Sequence, residues 1–114
     1  MKQDAYTMSL LFDYYGELLT EKQRTCFDLY YNQDLSLSEI AEEAGITRQG
    51  VHDTLLRAEA LLQNMEKTTG CIAKAERLAS GLATIEAVSK ELLSEPQSHD
   101  AAQTILEAVA QMKE

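Results

Sequence analysis

The chain has 114 residues, 45% of them hydrophobic, with a formal net charge of −9, a single proline and two cysteines. This length and apolar content support one compact domain, or a small domain with a helical appendage, and exclude a disordered chain. The acidic balance excludes a protein that grips phosphates over a wide surface, and two cysteines outside any C-x-x-C pair exclude a disulfide scaffold.

Helix formers dominate and β-branched runs are missing, so the expected fold class is all-α. A first helix is expected over residues 8 to 19, where Leu11, Tyr15 and Leu18 recur at helical spacing beside Phe12 and Leu19. Thr20-Glu21-Lys22-Gln23 reads as a capping box and starts a second helix that runs from Glu21 to about Tyr31, presenting Cys26, Phe27, Tyr30 and Tyr31. Asn32-Gln33-Asp34 reads as a turn. Ser36-Leu37-Ser38-Glu39 is a second capping box, and Leu35 with Ile40 forms a hydrophobic staple, so a third helix starts at Leu37. Gly45 ends it by supplying a left-handed residue.

Thr47 caps a long fourth helix whose seam is Val51, Leu55, Ala58, Leu62 and Met65, broken at Thr68-Thr69-Gly70. From Ile72 to Leu93 the helical spacing returns through Ala75, Leu78, Leu82, Ile85 and Leu92, with Ser89 as one polar member. Ser94-Glu95-Pro96-Gln97 interrupts, and Ser98 opens a last helix carrying Ala102, Ile105, Val109 and Met112. The expected organisation is a helix-turn-helix domain over 1–68 and a C-terminal helical hairpin over 69–114. A two-helix hairpin cannot bury both faces alone, so it either packs back in cis or forms a homodimer with another copy.

The segment from Leu37 to Leu56 carries the functional signal. Ile40, Ala41, Ala44, Gly45, Ile46, Val51 and Leu55 have helix-turn-helix spacing: a small residue at the helix crossing, a glycine turn, and apolar residues between the helices and their support. A groove-reading use would place Thr47, Arg48, Gln49, His52, Asp53 and Arg57 on the exposed side of the fourth helix. Arg48 and Gln49 suit guanine and adenine edges, and Thr47 and Arg57 suit phosphates. Charge opposes this use. Residues 1–70 hold six Lys/Arg against twelve Asp/Glu, a net of −6. Glu42 and Glu43 lie on the helix that would cross the backbone, and Asp53 lies on the reading face. The competing reading pairs Arg48 and Arg57 with glutamates on a solvated face, leaves His52 as an exposed surface residue, and assigns the tyrosines to core and rim and the cysteines to packing.

No Gly-rich phosphate loop, metal-ligand spacing or nucleophile–base set is present in the sequence, so neither enzymatic activity nor any cofactor is expected. Met1-Lys2-Gln3-Asp4 is not followed by the apolar run of a signal peptide, and no segment is long enough to span a bilayer, so a cytoplasmic location without membrane contact is expected.

The run LLTEKQRTCFDLYYNQDLSLSEIAEEAGITRQGVHDTLLRAEALL resembles region four of bacterial sigma factors, with its Leu-Ser-x-x-Glu-Ile-Ala start and Gly-Ile-Thr-Arg turn. LFDYYGELLTEKQ together with QDLSLSEIAEEAGITRQGVHDTL more closely resembles the YlxM-type family of bacterial helix-turn-helix proteins, over roughly the first 65 residues. The sigma resemblance implies DNA contacts at Arg48, Gln49, His52 and Arg57, although Gly50 and Asp53 dilute the basic character of the reading helix. The family goes with the genes of the signal recognition particle and its receptor. This resemblance implies an accessory or regulatory role in that targeting pathway, with the particle's protein or RNA as partner. The alternative is a DNA-binding transcriptional regulator.

Overall fold

The computed structural model describes residues 2–113, and among them every regular element is helical. The α-helices are α1 (Ala5–Tyr15), α2 (Glu21–Phe27), α3 (Leu37–Ala44), α4 (Arg48–Thr69), α5 (Cys71–Leu92) and α6 (His99–Lys113). They divide into two compact units, one reaching Ile72 and the other beginning at Ala73.

Side chains that bond to their own backbone set most boundaries. Asp4 starts α1 at Ala5, ahead of residue 8, because its Oδ2 accepts from the Thr7 N–H (3.0 Å) and the Thr7 hydroxyl (2.6 Å). The same two bonds hold the Asp4 carboxyl below its ordinary pKa. α1 ends at Tyr15 and not Leu19. The chain tightens there into a 3-10 turn, Gly16–Leu18, with Gly16 buried so closely on Phe12 that a Cβ would lie 3.2 Å from the ring. Leu18 turns out to solvent while Leu19 is buried, so the apolar spacing continues through a turn.

Thr20 and Gln23 form the expected capping box at α2, with bonds of 3.1 and 3.0 Å. The α-helix ends at Phe27 rather than near Tyr31, and a π turn follows over Asp28–Asn32, closed by the Gln33 N–H on the Asp28 carbonyl at 3.1 Å. The wider turn carries Leu29 and Tyr31 into the core. Asn32 and Gln33 amides donate to the Asp28 carboxylate at 2.8 and 3.0 Å, and Asp34 takes a left-handed φ of 59°.

Ser36 and Glu39 cap α3 reciprocally at 3.1 and 2.9 Å. Gly45 closes it at φ 70°, with its N–H on the Ala41 carbonyl. A Cβ on Gly45 would meet nothing within 4 Å. Gly45→Ala should therefore cost only the left-handed strain, about 1–2 kcal/mol. Urea denaturation checks this, and a larger loss would mean that α3 and α4 reorient.

Helices α1, α2 and α3 all pack on α4, whose Val51, Leu55, Ala58 and Leu62 are fully buried. Phe27 sits at the centre, stacked on Phe12 at 5.0 Å and tilted against Tyr31 at 4.6 Å. Of the five tyrosines, Tyr15 and Tyr31 are core, Tyr30 is half-buried, and Tyr6 and Tyr14 are exposed. Cys26 is buried as a small apolar group, whereas Cys71 is exposed at the first residue of α5 and does not pack.

Two polar clusters lie inside the first unit. Tyr15 Oη donates to Glu66 Oε1 at 2.6 Å, and the Ile72 N–H donates to the same oxygen at 3.0 Å. The Thr69 hydroxyl lies 2.7 Å from Tyr15 Oη. In the second cluster Glu59, only 2% exposed, accepts from Tyr31 Oη, which itself accepts from the Gln3 N–H at 3.1 Å. Lys2 closes this corner, with Nζ 2.7 Å from Asp34 Oδ1 and 4.7 Å from the Tyr30 ring centre.

In the second unit, Leu82 and Ser89 of α5 and Ala102 and Val109 of α6 are buried. Ser89, the polar member of the seam, thus faces inward. Glu86 accepts from Lys113 at 2.9 Å and from Lys90 at 3.2 Å, and these bonds lower its pKa.

Candidate interaction face of the helix-turn-helix

α4 presents its exposed side through Gln49, Asp53, Leu56 and Ala60, spaced four, three and four residues apart, with half-buried His52 beside them. The buried seam of Val51, Leu55, Ala58 and Leu62 occupies the opposite side. Arg48 and Arg57 are both exposed, but they are nine residues apart, which is about two and a half turns. They therefore project from opposite flanks of α4, one on each side of the Gln49–Leu56 strip. The helical turn does not bring them onto one patch. It sets them where two phosphate walls would run beside a helix in a groove.

Thr47 is the N-cap, and its hydroxyl is engaged in accepting from the Gly50 N–H at 2.9 Å. That use competes with a phosphate contact. A Cβ on Gly50 would lie 3.1 Å from Thr47 Oγ1, so the glycine leaves room for the cap. α4 also lacks the first-turn acid that α2 and α3 carry, which leaves its positive end uncompensated.

Gln49 Nε2 donates to Asp53 Oδ1 at 3.0 Å, an i,i+4 bond that occupies its amide. His52 is not the exposed surface residue that the sequence suggested. Its Nδ1 is buried without a hydrogen-bond partner, and Asp53 Oδ1 lies 3.7 Å away. Arg48 and Arg57 make no ion pair among the described residues, so the glutamate pairing that the sequence allowed is not formed. Both guanidinium groups are available to a partner.

Both helices of the motif also carry exposed acids. Glu42 and Glu43 are exposed on α3, and Asp53 is exposed within the strip itself. Leu56 is 45% exposed at the strip's centre, a position that sequence reasoning missed. Its signal was available, since it falls one residue off the buried seam of Leu55 and Leu62. An exposed leucine between a carboxylate and an arginine suits a protein surface better than a phosphate backbone.

A short first helix, a glycine turn and a longer exposed second helix, braced by a preceding helix, define a helix-turn-helix protein. The chain belongs to the UPF0122 family, whose description reads "Putative helix-turn-helix protein, YlxM / p13 like" and which matches residues 2–104. A UPF0122 protein of Desulforamulus reducens is 47% identical over 83 residues, covering 73% of this chain and 71% of its own length. One from Halalkalibacterium halodurans is 47% identical over 89 residues, 77% of this chain and 82% of its own. One from Clostridium kluyveri reaches 55% identity over 64 residues, 56% of this chain and 58% of its own. Among the described residues no helix is long and apolar enough to cross a membrane, and no group of three or more His, Cys, Asp or Glu could hold a metal ion.

Proposed function

We propose that the chain is a non-enzymatic accessory protein of the signal recognition particle pathway. It docks its helix-turn-helix on a basic protein surface of the particle. The observation that carries this reading is the position of the acids. Glu42 and Glu43 are exposed on α3, the helix before the turn, and Asp53 is exposed on α4, on a chain of net charge −9. Such a face repels phosphate and speeds encounter with a basic partner. Leu56 supplies an apolar anchor at the centre of the same strip.

A second reading, a DNA-binding regulator, rests on the unpaired Arg48 and Arg57 flanking that strip. The family's association with targeting genes, together with the acids, favours the first. The test is direct binding of the full chain to purified particle protein, with and without the particle RNA, and separately to duplex DNA. The expected result is RNA-independent binding that weakens as salt rises, together with only weak DNA binding. Leu56→Asp is expected to abolish the protein contact, and the combined Arg48→Ala and Arg57→Ala change is expected to weaken it less. Binding only in the presence of the RNA would move the contact to nucleic acid. Tight DNA binding, with a salt slope reduced by about one for each arginine removed, would establish the regulator instead.

A further inference from the structure

α1 turns one face into the first unit and leaves the other in water. Met8, Leu11 and Tyr15 are its buried residues. On the solvent side Tyr6 is 73% exposed and Tyr14 48%, with half-buried Leu10 between them. These three are four residues apart, and each step turns only about 40° round the helix, so they form one row about 12 Å long. Leu18, in the 3-10 turn that follows, is 55% exposed. Tyr15 and Tyr31 use their hydroxyls inside the fold, on Glu66 and Glu59. Tyr6 and Tyr14 have no such partner among the described residues, and their rings stand free. Single exposed apolar side chains are ordinary, whereas a row of them on one short helix marks an interaction surface, and tyrosine is enriched in such surfaces.

Charge selects the occupant. Residues 3–21 hold Asp4, Asp13, Glu17 and Glu21 and no Lys, Arg or His. Asp4 is engaged as the α1 cap. Asp13 follows Leu10 by three residues and Tyr6 by seven, which places it along the edge of the row. Asp13 and Glu17 are both exposed, and neither forms an ion pair among the described residues. A second copy of this face would set carboxylate on carboxylate, and a phosphate backbone would meet the same repulsion. An uncharged apolar partner would desolvate both acids without pairing them. A cationic helix avoids each of these costs, because its Lys or Arg heads reach the carboxylates while their apolar stems lie over Leu10 and the tyrosine rings. The chain already uses this chemistry once, at Lys2, whose Nζ lies 2.7 Å from Asp34 Oδ1 and 4.7 Å from the Tyr30 ring centre.

We infer that the Tyr6, Leu10 and Tyr14 row of α1, edged by Asp13 and Glu17, is a docking site for a cationic amphipathic helix of a partner protein. The row is about two turns long, well below the size of a standard interface, so the contact is weak and reversible. It shares no residue with the α4 strip and stands apart from the role proposed for the helix-turn-helix.

The experiment uses the full chain and a fluorescein-labelled, alanine-based helical peptide of about 18 residues with arginines and leucines along one face. A control peptide has the same composition with those residues scattered round the helix. Anisotropy should give a Kd of about 10–100 µM for the first peptide and binding at least about fivefold weaker for the control. Amide NMR shifts should map the site to α1. The combined Asp13→Asn and Glu17→Gln change should weaken binding by about fivefold to tenfold. Glu42→Gln with Glu43→Gln removes the same charge elsewhere and should leave the affinity unchanged. Tyr14→Ala should weaken binding by about threefold to fivefold. All these side chains are exposed, so the helical circular dichroism should not change. Leu56→Asp, which disables the α4 strip, should leave peptide binding intact. Equal binding of the two peptides, equal effects of the two charge pairs, shifts confined to α3 and α4, or loss of binding in Leu56→Asp would each overturn the proposal.

Discussion

Tyr31→Phe is expected to destabilise the first unit by about 2–4 kcal/mol, far more than the loss of one hydroxyl would cost on a surface. Glu59 is 2% exposed, and Tyr31 Oη is the donor to its Oε2. Its other oxygen, Oε1, is buried with no hydrogen-bond partner. Phenylalanine would keep the ring contacts with Phe27 at 4.6 Å and Tyr30 at 5.1 Å, so the change isolates the hydroxyl. It would also strand the whole carboxyl group in an apolar interior. The cost should therefore vanish when the carboxyl goes too. Glu59→Met in the Tyr31→Phe background should return the midpoint in urea close to that of the parent, with a coupling energy of about 2 kcal/mol or more in the double-mutant cycle. Additive single effects would show that Tyr31 and Glu59 do not act as a pair.

The same contact sets a pH dependence. Burial first, and then the hydrogen bond to Glu59, raise the Tyr31 phenol pKa above its ordinary value. Burial and the bond to Glu66 raise that of Tyr15. Because folding raises both, the unfolded chain releases these protons before the folded one does. The stability they contribute is intact below about pH 10 and falls as pH climbs beyond it. In Tyr31→Phe the alkaline fall should be shallower by about one proton, measured as the pH slope of unfolding free energy above pH 10.

How much of this is legible in the sequence depends on the range of the interaction. The boundaries set by Thr20, Ser36, Gly45 and Thr47 are legible because each cap is a bond between a side chain and backbone within a few residues of it. The α4 seam is legible because it follows one helical period over many residues. Glu59 is not, since its neighbours on α4 give no reason for burial; the reason is Tyr31, 28 residues away. The π turn at Asp28–Asn32 is hidden for a related reason. Its sequence continues the helical apolar pattern, and only the core on the far side decides that Leu29 and Tyr31 both turn inward. In the candidate site, the residue types are legible at Arg48, Gln49 and His52, while their availability is not. The half-burial of His52 and the capture of the Gln49 amide by Asp53 depend on rotamers that a sequence does not fix.

Reversing the two acids of α3 should exchange one class of partner for another. In the combined Glu42→Lys and Glu43→Lys variant, binding to a basic protein partner is expected to fall by about tenfold or more at low salt, and duplex DNA affinity is expected to rise by at least a similar factor. Both side chains are exposed and neither bonds within the chain among the described residues, so the fold is not at stake. Thermal unfolding should shift little. The reasoning is electrostatic: two carboxylates beside the strip repel a phosphate wall, while two ammonium groups there would join Arg48 and Arg57 on its flanks. Each new phosphate contact should steepen the salt dependence of DNA binding by about 0.9 in log–log slope, for a total of about 2. Measured against salt, the two partners then give opposite answers in one variant. If DNA affinity does not rise while the protein contact is lost, the acids act as direct ligands of the partner rather than as a barrier to phosphate. If neither changes, the partner does not meet the α3 acids, and Arg57 becomes the residue to test.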